Sequence, residues 1–187
     1  MTPDAFSAAI LANPANAALL ERLPALGLPQ CHLVAGCLFQ TVWNARSGRV
    51  PGWGISDYDI FYFDDTDLSW DAEDAVIRQV TDLAADLGIL VEPRNQARVH
   101  LWYAERFGPG YPQLVSARDG IDHYLVECTC IGIEVASGAV YAPYGLDDMA
   151  AGQLRINPAN ARPELFRKKA ESYRVRWEWL SVVEPEG

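Results

Sequence analysis

The chain has 187 residues, half of them hydrophobic and 11% aromatic, which suffices for a substantial core in one domain. A formal charge of −10 argues against a grip on long nucleic acid, which requires many phosphates to be neutralised. No run approaches the roughly 20 uncharged apolar residues of a membrane helix, and the first twenty residues lack the basic lead and cleavage pattern of an export signal, so a cytoplasmic protein is expected.

In chain order, residues 1–30 read as a helical addition of two short helices, one after Asp4 and one opened by Asn13-Pro14. Residues 31–35 read as a short strand, Gly36 as a turn, and Leu38 to Asn44 as a helix. "ARSGRVPGWGIS" is a glycine-rich loop, and residues 57–63 form a strand apolar on both faces, hence central in its sheet. Ser69 caps the next helix, whose stripe is Val76, Val80, Leu83, Ala84 and Leu87, with Gly88 as its stop.

"ILVEP" and "ARVHLWY" read as strands or one bent ribbon, followed by the loop "GPGYPQL". "GIDHYLVECTCIGIEV" begins as a short helix, opened near Asp122 and His123, and becomes a strand near Cys130, with "GAVYAPYG" pairing beside it. Pro163 to about Leu180 is helical, with Phe166, Ala170, Tyr173, Trp177 and Leu180 on one face. The fold class is α+β: a mixed sheet flanked by helices, with a core over residues 31–145 and a C-terminal helical segment over 146–187. Cys31, Cys37, Cys128 and Cys130 are expected as free buried thiols.

The chemistry concentrates at "GISDYDIFYFDD". Side chains alternate along a strand, so Asp57 and Asp59 share a face roughly 7 Å apart. Two carboxylates that close raise each other's pKa unless a cation lies between them. Mg²⁺, or Mn²⁺, meets that need with one or two carboxylates, water and substrate phosphates. The stretch "DDTDLSWDAED" lacks the glycine and the final Glu of a calcium loop. Eleven of the 25 acids lie between Asp57 and Glu92, and seven of the 15 Lys and Arg between Arg155 and Arg176, so the two could face one phosphorylated ligand.

"VAGC", a helix, and "GISDYDIFYF" together resemble the nucleotidyltransferase superfamily to which DNA polymerase beta belongs. More narrowly, "GCLFQTVWN", "DYDIFYFD", "RNQARVHLWY" and "KKAESYRVRWEWL" resemble a widespread bacterial family of nucleotidyltransferase-like proteins, over about residues 30–180. The resemblance implies that Asp57 and Asp59 bind metal and that Gly36 and Cys37 form a turn for nucleotide phosphate, although a cysteine replaces the usual Gly or Ser. The backbone amides of a helix N-terminus still suit an anion there. A third carboxylate completes the metal site and acts as base in that superfamily. Glu92 is the first candidate, and His100 the second if "ARVHLWY" is the equivalent strand.

Arg94, Arg98 and Lys169 are candidates for triphosphate oxygens, with Lys168 and Arg174 behind them. Trp53 could stack on a base. The expected activity is transfer of an NMP from an NTP such as ATP to a small-molecule or protein acceptor. A catalytically degenerate nucleotide-binding regulator, or a protein-interaction module without nucleotide, is the alternative.

Overall fold

A computed structural model describes residues 1–107 and 112–183, with side chains over 1–103 and 112–183. Residues 108–111 of the expected loop "GPGYPQL" lie outside the described residues. Helices α1 (Pro3–Ile10) and α2 (Pro14–Arg22) are capped by Thr2 and Asn13, each followed by a proline at the first helical position. Strand β1 (His32–Val34) leads into helix α3 (Gly36–Arg46), and strand β2 (Tyr58–Tyr62) into helix α4 (Trp70–Leu83). The Ser69 hydroxyl accepts from the Ala72 amide to cap α4, and Gly88 ends the following turn in the left-handed region.

Strand β3 (Val91–Asn95) comes next, then helices α5 (Val99–Phe107) and α6 (Ala117–Asp122), strands β4 (Gly132–Glu134) and β5 (Val140–Tyr141), helix α7 (Asp147–Ala151), strand β6 (Gln153–Leu154), helix α8 (Pro163–Arg174) and strand β7 (Ser181–Val182). The main sheet has the order β3-β2-β1-β4-β5. It is mixed: β2 and β3 run parallel, and the other pairs are antiparallel. Pro93, with no N–H to give, lies on the edge strand β3. Among the described residues no helix is long and apolar enough to cross a membrane.

In β2, Tyr58, Ile60 and Tyr62 are buried while Asp59 and Phe61 on the other face are half-buried. The buried face meets the helices: the Asn13 amide donates to the Tyr58 hydroxyl (3.2 Å) and the Thr41 hydroxyl (3.2 Å). A second aromatic cluster joins α3 to α8, where Trp43, fully buried, makes edge contacts with Tyr173 and Trp177. All four cysteines are free and buried; burial pushes the Cys31 and Cys128 thiols up to about 12, so they stay protonated.

Three sequence expectations need correction. "ARVHLWY" is no strand: the Asn95 side chain accepts from the Ala97 amide, turns the chain through a short 3₁₀ segment and starts α5. Asp122 and His123 do not open α6 but end it, its cap being Ser116. Helix α8 stops at Arg174, not near Leu180, because the amides of both Arg176 and Trp177 converge on the Tyr173 carbonyl. The chain then turns so that Trp177 and Leu180 still reach the core, and Ser181 enters β7 beside β6.

Candidate active site

The face of β2 opposite the helices α1–α4 carries Asp59 and Phe61, with Asp57 one step before the strand. The parallel register puts Glu92 beside Asp59 and Arg94 beside Phe61. The antiparallel register on the other side puts Val34 beside Asp59, so β1 leaves the sheet towards the Asp57 end and turns into α3 there. The turn is tight. Ala35 sits at φ 49°, ψ −109°, a conformation that costs a non-glycine residue about 1–3 kcal/mol and that clusters at functional sites. Gly36 follows at the helix start, where an added Cβ would lie 3.1 Å from the Gln40 side chain. Among the described residues the amides of Gly36 and Cys37 have no acceptor, as first-turn amides of a helix do.

The charges at this face are unevenly balanced. Burial, then the neighbouring Asp57 and Glu92 carboxylates, push Asp59 up to about 7, against the pull of Lys169 and Arg94. Two cations of the C-terminal segment answer them. Lys169 leans its ammonium over the Tyr173 ring at 5.3 Å, and burial and the nearby Arg176 lower its pKa while Asp57 and Asp59 raise it. Arg176 donates to Gln40 Oε1 (3.0 Å) and to the Gly54 carbonyl (2.9 Å) and also feels Asp57.

A cavity of about 330 Å³ opens at Phe61 and Arg94, further along β2 and β3 than Asp59 and Glu92, and none of Asp57, Asp59 and Glu92 lines it. Phe61, Arg94, Lys169 and Tyr173 form the wall shared with the charged cluster; Val99, Trp102 and Tyr103 come from α5, at the i, i+3, i+4 spacing of one helix face. Tyr124 lies parallel to Phe61, with ring centroids 5.9 Å apart, and its hydroxyl is buried without a hydrogen-bond partner. Burial first, and then the Asp59 charge, hold its proton on.

The donor set fits a hard divalent cation. Asp59 on β2, pushed up to about 7 by burial and its neighbours, and Asp57 one step before the strand are oxygen donors of the kind Mg²⁺ takes. The expected third ligand does not join them: among the described residues no three His, Cys, Asp or Glu converge as a metal group. Glu92 is register-matched to Asp59 but ion-paired to Arg94 at 3.3 Å.

Five other candidates also change. His100 lies on α5, not on a strand, and among the described residues nothing joins it to Asp57 or Asp59. Arg98 is committed elsewhere: its guanidinium ion-pairs with buried Glu73 of α4 and donates to the Leu68 carbonyl (2.9 Å). The Cys37 thiol points into the core towards the Val34 carbonyl (3.5 Å), leaving only its amide for a ligand. Trp53 carries the Arg49 guanidinium over one ring face at 3.7 Å and meets Trp177 edge-on, so that face is taken. Arg174 pairs with Glu171 (3.2 Å).

Sequence reasoning missed Arg176, Gln40 and Tyr124. Lys169, Tyr173 and Arg176 follow the i, i+4, i+7 rhythm of one helix face, a signal that could have added Arg176 to Lys169. Tyr124 has no such signal, since only the fold brings it over Phe61.

A mixed sheet with a strained turn into a helix, and a carboxylate pair at the start of the next strand, is a fold of the nucleotidyltransferase kind. The profile of a family described as "Nucleotidyltransferase" matches residues 21–182, and the chain belongs to that family. No functionally curated protein matches it. Among solved structures, an NMR structure described as revealing a CCA-adding enzyme head domain is similar, with a TM-score of 0.75 and 22% identity over 98% of this chain and 97% of that one.

Proposed function

We propose that the protein is a metal-dependent nucleotidyltransferase, moving an NMP from an NTP to a small-molecule or protein acceptor. The observation that carries this reading is the placement of Asp57 and Asp59 beside an unpaired helix N-terminus, with Lys169 and Arg94 opposing the Asp59 charge. A net charge of −10 disfavours long nucleic acid as the acceptor.

Asp57 and Asp59 would hold the metal, whose chemistry is to neutralise triphosphate charge and polarise the phosphorus under attack. The Gly36 and Cys37 amides bind the terminal phosphates, aided by the helix dipole. Lys169 and Arg176 offset the charge that builds on the leaving group. The acceptor oxygen attacks the α-phosphorus, the new O–P bond forming as the bond to pyrophosphate breaks. Glu92, beside Asp59 in the register, takes the acceptor's proton. A second reading, a nucleotide-binding regulator without turnover, draws on the ion pair that holds Glu92 to Arg94.

Pyrophosphate release from each NTP with Mg²⁺ or Mn²⁺ separates the two. Asp59→Asn should lower it at least about 100-fold, the scale on which a transition-state electrostatic contact is lost. Stabilisation by Mg-NTP without release at any acceptor concentration leaves the regulator, and no stabilisation by any nucleotide leaves neither.

A further inference from the structure

At the turn into α3 the Gly36 and Cys37 amides lack acceptors among the described residues, and the Cys37 side chain adds no donor to them, its thiol being turned to the Val34 carbonyl. Unpaired first-turn amides belong to every helix and by themselves mark no site. What sets this helix apart is Gln40, one turn further on. Helical side chains lean back towards the N-terminus, so residue i+4 lies over residue i. Gln40 is only 7% exposed, and its Nε2 lies 3.1 Å from where a Cβ added at Gly36 would sit. Gly36 does not have a positive φ, so the backbone does not call for glycine there; the missing side chain leaves room for this amide.

Chemistry fixes which way round the amide lies. Arg176 Nη1 is 3.0 Å from Gln40 Oε1, and a guanidinium has only donors, so the oxygen is the end that faces Arg176. The Nε2 end is left at the Gly36 turn. Among the described residues Nε2 has no acceptor, yet it is not one of the polar atoms sealed in without a partner, so it reaches the surface. Arg176 also donates to the Gly54 carbonyl and feels the Asp57 charge, which sets this amide near the Asp57 end of β2. The charged donor on Oε1 polarises the amide and strengthens its N–H groups as donors.

We propose that Gln40 is a phosphate-binding residue: its Nε2, oriented by the bond from Arg176 to Oε1, donates to a terminal-phosphate oxygen of a nucleotide seated on the Gly36 and Cys37 amides. The inference rests on the transferase reading and adds to its two backbone donors the side-chain donor that Cys37 does not supply.

The test uses the full, isotope-labelled chain with Mg²⁺ and inorganic tripolyphosphate, a probe that has the phosphates without a base, followed by NMR of backbone and side-chain amides. Tripolyphosphate is expected to shift the Gly36 and Cys37 amides and the Gln40 side-chain NH₂ together. Gln40→Glu keeps the length and the acceptor for Arg176 but puts a carboxylate oxygen in place of the donor. It should weaken tripolyphosphate and a non-hydrolysable Mg-ATP analogue at least about 10-fold, the worth of one hydrogen bond to a charged group. Its ligand-free melting temperature should be unchanged or higher, because it still takes the bond from Arg176. Gln40→Met, which removes both ends of the amide, should weaken the ligands by about the same factor. Normal binding in Gln40→Glu would make Gln40 at most a support for Arg176 and overturn the proposal, as would Gly36 and Cys37 shifts without one at the Gln40 NH₂. If neither polyphosphate nor nucleotide moves Gly36 and Cys37, the transferase reading itself falls, and this inference with it.

Discussion

Glu73 and Asp59 are carboxylates set against opposite faces of the same two strands, β2 and β3, with opposite surroundings. Glu73, only 3% exposed, pairs with the Arg98 guanidinium and accepts from the Asn95 amide at 2.9 Å. Around it Asn95 spans the two strands, taking the Asp64 amide and giving to the Asp64 carbonyl. Asp59 has two acids nearby, and Lys169 and Arg94 oppose them with the smaller effect. A buried charge with its partners in contact holds the fold together; one that lacks them keeps electrostatic energy in hand for a ligand.

That contrast is open to experiment, and the largest effect belongs to the satisfied side. Arg98→Ala should cost about 3–5 kcal/mol in urea unfolding, because Glu73 is left buried and uncompensated. Combining Glu73→Gln, which keeps the bond to Asn95, with Arg98→Met should recover most of it. If the single change costs under about 1 kcal/mol, the ion pair is incidental.

The next effect has the opposite sign. Asp59 titrates at about 7 in the folded protein and near 4 in the unfolded chain, so the folded state holds its proton longer. Metal-free stability should therefore fall as pH rises from about 4 to about 7 and level off beyond. Asp59→Asn removes that slope and should be the more stable protein above pH 7, by on the order of 1–2 kcal/mol once partial exposure is allowed for. A variant less stable than its parent at pH 8 contradicts the account. Smallest is Lys169→Met: with one opposing cation gone, the Asp59 carboxyl carbon should titrate higher still by NMR.

Much of this was readable from residues alone, for identifiable reasons. The β2 strand announces itself because "YDIFYF" is too apolar for an edge, and the caps Asn13 and Ser69 mark their helices by chemistry that needs no neighbours. The stretch "ARVHLWY" fails for the converse reason. Over so few residues the alternation of a strand and one face of a helix coincide, and what decides is the Asn95 cap, itself held by contacts to Asp64 from β2's far end. Arg94 and Arg98 look alike in sequence; only packing sends one to the cavity and the other beneath α4. Glu92 could be nominated as an acid, but its place beside Asp59 is a matter of register, which spacing does not encode.

The loop ahead of Asp57 is latched from far along the chain. Arg176 holds the Gly54 carbonyl, and the Trp177 indole donates to Asn44, whose amide in turn pins the carbonyls of Pro51 and Trp53. During synthesis the acids emerge more than a hundred residues before that latch exists. The loop ahead of Asp57 therefore gains these bonds only once residue 177 has joined the chain.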